Sequence, residues 1–108
     1  MYEYFDFDLS KASFEWDEEK EQYNFTKHGI HFKTAFKFFL DPEKLIREDE
    51  EHPDELRYDI LGKVGKVLFV VCTIRHENIV RIISARLATN RERKRYERGE
   101  DYDGENEY

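Results

Sequence analysis

The stretch LRYDILGKVGKVLFVVCTIR, residues 56–75, decides the fold class. Its first part alternates Leu56, Tyr58 and Ile60 against Arg57, Asp59 and Leu61, the period of a strand with two unlike faces. Arg57 therefore falls on the face opposite the main apolar set. GKVG, from Gly62 to Gly65, reads as a hairpin turn. The run from Lys66 to Arg75 is unbroken and rich in β-branched residues, which fits a central strand covered on both faces.

Strand period continues on both sides of this pair. Upstream, KLIRED is a short strand candidate, followed by the acidic loop EEHPDE. Downstream, HEN turns the chain into IVRIISARLA, where strict alternation sends Ile82, Ser84 and Arg86 one way and Arg81, Ile83 and Ala85 the other. That alternation leaves two arginines on opposite faces of an otherwise apolar strand, which is hard to reconcile with the cost of burying a guanidinium.

Helical signals flank the strands. Asp17 is an N-cap, with Glu18 and Glu19 in the first turn, for a helix over Glu18–His28. In NFTKHGIHF, residues 24–32, Lys27 and His28 occupy the last turn, Gly29 suits the left-handed position beyond it, and Ile30 packs back. Phe32, Ala35, Phe36 and Phe39 form the apolar stripe of a second helix, closed by Asp41-Pro42. NRERKRYERG is a charged third helix, capped by Asn90 and stopped by Gly99, with Tyr96 as a packing residue. SFEW is a short aromatic strand. Residues 1–13 read as an acidic, aromatic N-terminal arm and residues 100–108 as an acidic, mobile tail. The expected architecture is one α+β domain over residues 14–99: a small antiparallel sheet with two N-terminal helices and one C-terminal helix.

Composition agrees with a single globular domain. The 108 residues are 39% apolar, and the 9 Phe and 7 Tyr must supply much of the core. No apolar run approaches the roughly 20 residues needed to cross a bilayer, and the N-terminus lacks the pattern of a signal peptide, so the expected address is the cytosol with no membrane contact. Cys72 sits in an apolar run and reads as a small buried hydrophobe. The net charge of −7 conceals a strong asymmetry. Residues 1–56 carry 7 Lys/Arg against 16 Asp/Glu, residues 57–98 carry 11 against 4, and residues 99–108 carry none against 5. A basic half lies between acidic flanks, which matters more to a polyanion than the total does.

The sequence lacks a Gly-rich phosphate loop, a serine nucleophile elbow and a cysteine pair. His28 and His31 are separated by the helix-breaking Gly29 and make a poor metal site, so neither metal nor cofactor is expected. What remains is a set of cations: Arg57, Arg75 and Arg86 on strands, with Lys27 and His28 at a helix end. Glu55 and Asp59 are internal partners for Arg57, whereas Arg86 has no carboxylate within its own strand. These residue types suit RNA cleavage through the ribose 2′-hydroxyl, which needs a proton acceptor, cations on the phosphate oxygens and a proton donor, without metal. They suit other anion binders equally well.

The ordered strings narrow this choice. FEWDEEK, NFTKHGIHFKTAFKFFLDP, ELRYDILG, VLFVVCTIR and RIISARLATNRERKRYE together resemble the BrnT family, the toxin half of BrnT and BrnA toxin-antitoxin systems, over residues 14–98. The resemblance implies a fold similar to RelE-type ribonucleases, RNA cleavage without metal, and growth arrest. It also implies neutralisation by a BrnA-type antitoxin with a ribbon-helix-helix DNA-binding module, operator DNA being reached only through that antitoxin. Carried over by position, it implies Lys27, His28, Arg57, Arg75 and Arg86 as catalytic residues. Arg57 and Arg86 would stabilise the phosphate, Lys27 or His28 would transfer a proton, and Glu55 would act as a base or orient Arg57. Two alternatives stand beside this reading: a catalytically silent domain of the same fold that binds antitoxin as co-repressor, and an acidic tail that covers the cationic face as an RNA mimic.

Overall fold

The computed structural model describes residues 2–5, 8, 11–49, 55–75 and 78–99. The acidic tail at 100–108 and most of the loop at 50–55 lie outside the described residues. Six strands form one sheet: β1 (Glu3–Tyr4), β2 (Ser13–Glu15), β3 (Leu45–Asp49), β4 (Arg57–Val64), β5 (Lys66–Arg75) and β6 (Ile79–Leu87). Their spatial order is β1-β3-β4-β5-β6-β2. Three helices accompany them, α1 (Glu18–His28), α2 (Phe32–Lys37) and α3 (Asn90–Arg98), and a 3-10 turn at Phe38–Leu40 prolongs α2.

β4 and β5 pair antiparallel, as do β5 with β6 and β3 with β4, so the Lys66–Arg75 run is the middle of the sheet. The sheet is mixed and not wholly antiparallel, because β2 runs parallel to β6 with Glu15 opposite Arg81. A parallel edge strand needs a crossover, and the chain supplies it through α1, α2 and three strands. The hairpin turn is tighter than the two glycines suggest: β4 continues to Val64, and Gly65 alone, at φ 68°, reverses the chain. Gly62 serves another purpose, since a Cβ there would lie 2.5 Å from the Phe38 ring.

α2 and its 3-10 turn cover one face of the sheet. Phe32, Ala35, Phe38 and Phe39 pack there on Ile60, Leu68, Val70, Cys72, Val80 and Ile82. Phe36, expected in that stripe, is exposed instead and meets Phe14 edge-on at 4.5 Å. Tightening from α to 3-10 turns advances Phe38 and Phe39 round the axis, so these two point inward together. Burial pushes the Cys72 thiol up to about 12, which removes it as a nucleophile.

α3 lies on the opposite face, where Tyr96 packs with Tyr2, Leu45, Leu61 and Phe69. Its N-cap is Thr89 rather than Asn90, in a reciprocal capping box with Glu92. The Tyr96 hydroxyl donates to Asp41, whose same carboxylate oxygen accepts the Lys63 N–H at 2.9 Å. The N-terminal stretch is built into this layer: Glu3–Tyr4 pairs with β3, and Tyr2 is buried beneath Arg47 and Arg95.

α1 completes the sheet edge. β2 pairs with β6 only from Ile79 to Arg81, leaving later β6 backbone groups without a strand neighbour on that side. Asn24 fills the gap at Ala85: its Nδ2 donates to the Ala85 carbonyl at 2.8 Å, and its Oδ1 accepts the Ala85 N–H at 3.0 Å. The same Nδ2 donates to the Ile30 carbonyl, tying the turn after α1 to this point.

Candidate active site

The face that carries α3 at one end carries the arginines. Register places Arg57, Thr73, Arg75, Arg81 and Arg86 on it, together with Arg47, Asp59, Val71 and Ser84. Arg81 and Arg86 share this face because β6 bulges. Cys72 pairs with Ile82 while Val71 pairs with Ser84, so Ile83 is an extra residue and the alternation restarts one position later. Ile82 and Ala85 therefore both enter the helix-side core, and the burial conflict raised by strict alternation disappears.

Arg57 is held by Glu55, with Nε and Nη2 donating to one carboxylate oxygen at 2.9 and 2.8 Å. Asp59 is engaged elsewhere, accepting from Arg47 Nε at 2.9 Å. Arg75 is exposed and, among the described residues, has no ion pair in its reach. Arg81 lies 3.7 Å from Glu15, too long for a hydrogen bond.

Arg86 is differently placed. It makes a fork-to-fork pair with Glu92, Nη1 to Oε1 at 2.7 Å and Nη2 to Oε2 at 2.9 Å, and lies 4.1 Å above the Phe69 ring. The Glu92 hydrogen bond holds the Arg86 guanidinium above its ordinary value. Burial alone would raise the Glu92 carboxyl, but hydrogen bonds from Arg86 and Thr89 outweigh it and lower the carboxyl. Arg86 stands opposite Phe69 and Arg57 beside Thr73, four residues along β5, or about 13 Å. Each is paired with its own carboxylate, Arg57 with Glu55 and Arg86 with Glu92, at separate points of the face.

Lys27 and His28 lie at neither of those points. Asn24 and Ile30 bracket them and are both tied to Ala85 through the Asn24 amide, so the end of α1 sits at the β6 edge. From there Arg57 is two strands inward and several residues along the sheet, about 15 Å away. Lys27 is exposed, 5.8 Å from the Tyr23 ring, and His28 is half-buried. Gly29 caps the helix at φ 73° with its N–H on the Phe25 carbonyl, as its sequence position predicts. His31 is committed to structure: Nδ1 meets Glu21, and the ring stacks on Phe25 at 3.7 Å.

The structure thus brings Arg57, Glu55 and Arg75 together and adds Arg81 and Thr73, which sequence reasoning passed over. Arg81 belongs to the RIISAR string, but only the bulge reveals its side of the sheet. Glu92 was legible as the fourth residue of TNRE, a capping-box pattern.

Residues 16–92 match the family described as ribonuclease toxin, BrnT, of type II toxin-antitoxin system. The chain belongs to the BrnT ribonuclease toxin family. Its fold is similar to the 1.1 Å crystal structure of the Brucella abortus ribonuclease toxin BrnT, with a TM-score of 0.57 and 27% identity, covering 73% of this chain and 99% of that one. No curated relative matches the chain. Membership of a type II BrnT family implies an antitoxin partner. No described helix is long and apolar enough to cross a membrane.

Proposed function

We propose that this chain is a metal-independent endoribonuclease toxin of the cytosol, cleaving RNA through the ribose 2′-hydroxyl to arrest growth. The observation that carries this reading is the gathering of Arg57, Arg75 and Glu55 at one end of one sheet face in a BrnT family chain. Arg57 and Arg75 stabilise charge on the phosphate oxygens, and Glu55, on Arg57 and still 38% exposed, accepts the hydroxyl proton. Lys27 and His28 act on a neighbouring stretch of the same RNA strand, since cations spread along a surface track successive phosphates. Arg86 is a positioning residue that fastens α3 through Glu92. The architecture is of the RelE type. A BrnA-type antitoxin with a ribbon-helix-helix module neutralises the toxin and carries it to operator DNA.

Incubating the purified protein with RNA in excess chelator and analysing the new ends tests this. The expected products carry 2′,3′-cyclic phosphate or 3′-phosphate, and Arg57→Ala lowers the rate at least about a hundredfold, as expected for losing a transition-state donor. A requirement for divalent metal, or an Arg57→Ala enzyme of full activity, refutes the mechanism. A second reading, the catalytically silent antitoxin-binding domain, is favoured by one observation: Arg57 and Arg86 are both already paired with carboxylates of their own chain. It predicts intact RNA alongside tight antitoxin binding.

A further inference from the structure

A transverse row of side chains crosses the arginine face at Thr73. Asp49 pairs with Arg57 across β3 and β4, Thr73 with Arg81 across β5 and β6, and Arg81 with Glu15 across β6 and β2. Arg57, one residue before the Tyr58–Cys72 pair, continues the row to Thr73. The sequence of charges is acid, base, hydroxyl, base, acid.

The hydroxyl at the centre is the anomaly. Thr73 is only 3% exposed, and its buried Oγ1 has no hydrogen-bond partner among the described residues. A strand built for packing alone would carry valine there, which has the same shape and no polar group to desolvate, and β5 has valines at 67, 70 and 71. Arg57 and Arg81 flank it with backbones two strand spacings apart, about 10 Å, a span that two guanidinium groups close from either side around one tetrahedral anion. Both retain access to solvent, with side chains 22% and 31% exposed. Arg75 follows Thr73 by two residues on the same face. Glu55 and Glu15 hold the two guanidinium groups apart, and the 3.7 Å Arg81–Glu15 contact is loose enough to exchange for a phosphate oxygen at little cost.

Resting on the RNA reading of this face, we propose that Thr73 and Arg81 complete, with Arg57, a binding site for a single phosphodiester of the substrate strand. The Thr73 hydroxyl donates to one non-bridging oxygen, and Arg57 and Arg81 turn inward from Glu55 and Glu15 to pair with the others. Arg81 and Thr73 are thereby binding residues of the cleavage face.

The test uses the full chain and a short single-stranded 2′-O-methyl oligoribonucleotide, which keeps the phosphodiesters but has no reactive hydroxyl. Affinity is read by fluorescence anisotropy over a range of salt, beside thermal melting. Thr73→Val is expected to melt at or above the parent temperature yet bind about tenfold more weakly, the loss of one hydrogen bond to a charged group. Arg81→Gln is expected to weaken binding and lower the salt slope by about one, and Arg81→Lys to restore the slope but only part of the affinity. A Thr73→Val protein that is more stable with unchanged affinity overturns the site, as does an unchanged salt slope in Arg81→Gln or no saturable binding by the parent. Should Arg81→Gln not fold, Thr73→Val decides alone. Binding with these dependences but no cleavage of unmodified RNA sinks the ribonuclease reading and leaves the site standing. Cleavage whose KM is unchanged in Thr73→Val, with unchanged probe affinity, does the reverse.

Discussion

Asn24 does for this sheet what a neighbouring strand would do. It is 4% exposed, and its amide satisfies the N–H and the C=O of Ala85 at the point where β2 no longer reaches β6. Leucine at this position keeps the volume and removes both bonds, leaving two buried backbone groups without partners. Asn24→Leu is therefore expected to lower unfolding free energy by about 3 kcal/mol in urea denaturation, with the slope of the transition unchanged. A loss under about 0.5 kcal/mol would mean that water or a shifted α1 replaces the bonds. Because the same amide fastens the turn that holds Lys27 and His28, the variant should also lose RNA affinity beyond what its stability explains. Gly62 shows a second residue-level constraint. The Phe38 ring stands where a Gly62 Cβ would go, so Gly62→Ala should cost about 1–3 kcal/mol through overpacking, and Phe38→Leu in the same chain should recover part of it.

At the scale of elements, the bulge in β6 and the capping box of α3 determine where the arginines go. Inserting Ile83 returns Arg81 and Arg86 to one face, and the Thr89–Glu92 cap then sets α3 so that Glu92 meets Arg86. Glu92 makes this joint depend on acid. Its folded value lies below the unfolded 4.5, so its contribution is complete above that value and is lost as pH falls through the depressed folded one. Glu92→Gln should be less stable than the parent near neutrality and converge with it as pH falls below 4.5 and through the depressed folded value, as read from thermal melting against pH; parallel curves would disprove the linkage. Much at this scale was legible from the sequence: α1 has the bounds that Asp17, the first-turn acids and Gly29 announce, and β5 is central as its unbroken apolar run requires. The bulge was not legible, because alternation is a property of one strand while a bulge is set by what the partner strand offers. For the same reason the sequence singled out Arg86, the arginine with no carboxylate in its own strand, whereas its partner comes from the next helix. Arg57 was the opposite case, its partner Glu55 being two residues away.

Tyr2–Tyr4 and α3 meet across the described fold and close it. Residues 1–13 read as an N-terminal arm outside the domain, yet Glu3–Tyr4 lines the edge of β3 and Tyr2 is buried in the same cluster as Tyr96 of α3. Arg95 of α3 donates to the Tyr2 carbonyl at 3.0 Å and lies over the Tyr2 ring, while Arg47 of β3 stacks on that ring at 4.6 Å. The cluster under α3 is small, so a single buried tyrosine is a large part of it. Removing residues 1–5 uncovers Leu45 and the β3 edge and withdraws one side of the α3 seat. Burial of a side chain of this size is worth about 2 kcal/mol, which in a domain of this length corresponds to roughly 10 °C in Tm. The truncated chain should melt lower by about that amount and exchange the amide protons of α3 faster, while those of β5, buried on both faces, keep most of their protection. Arg57, Thr73, Arg75 and Arg81 lie at the other end of the arginine face from α3, so RNA affinity measured well below the new Tm should change less than twofold. A truncated chain that melts like the parent would restore the reading of residues 1–13 as an arm outside the domain. One that keeps its Tm deficit but loses RNA affinity would instead place α3, and Arg86 with it, on the path of the bound strand.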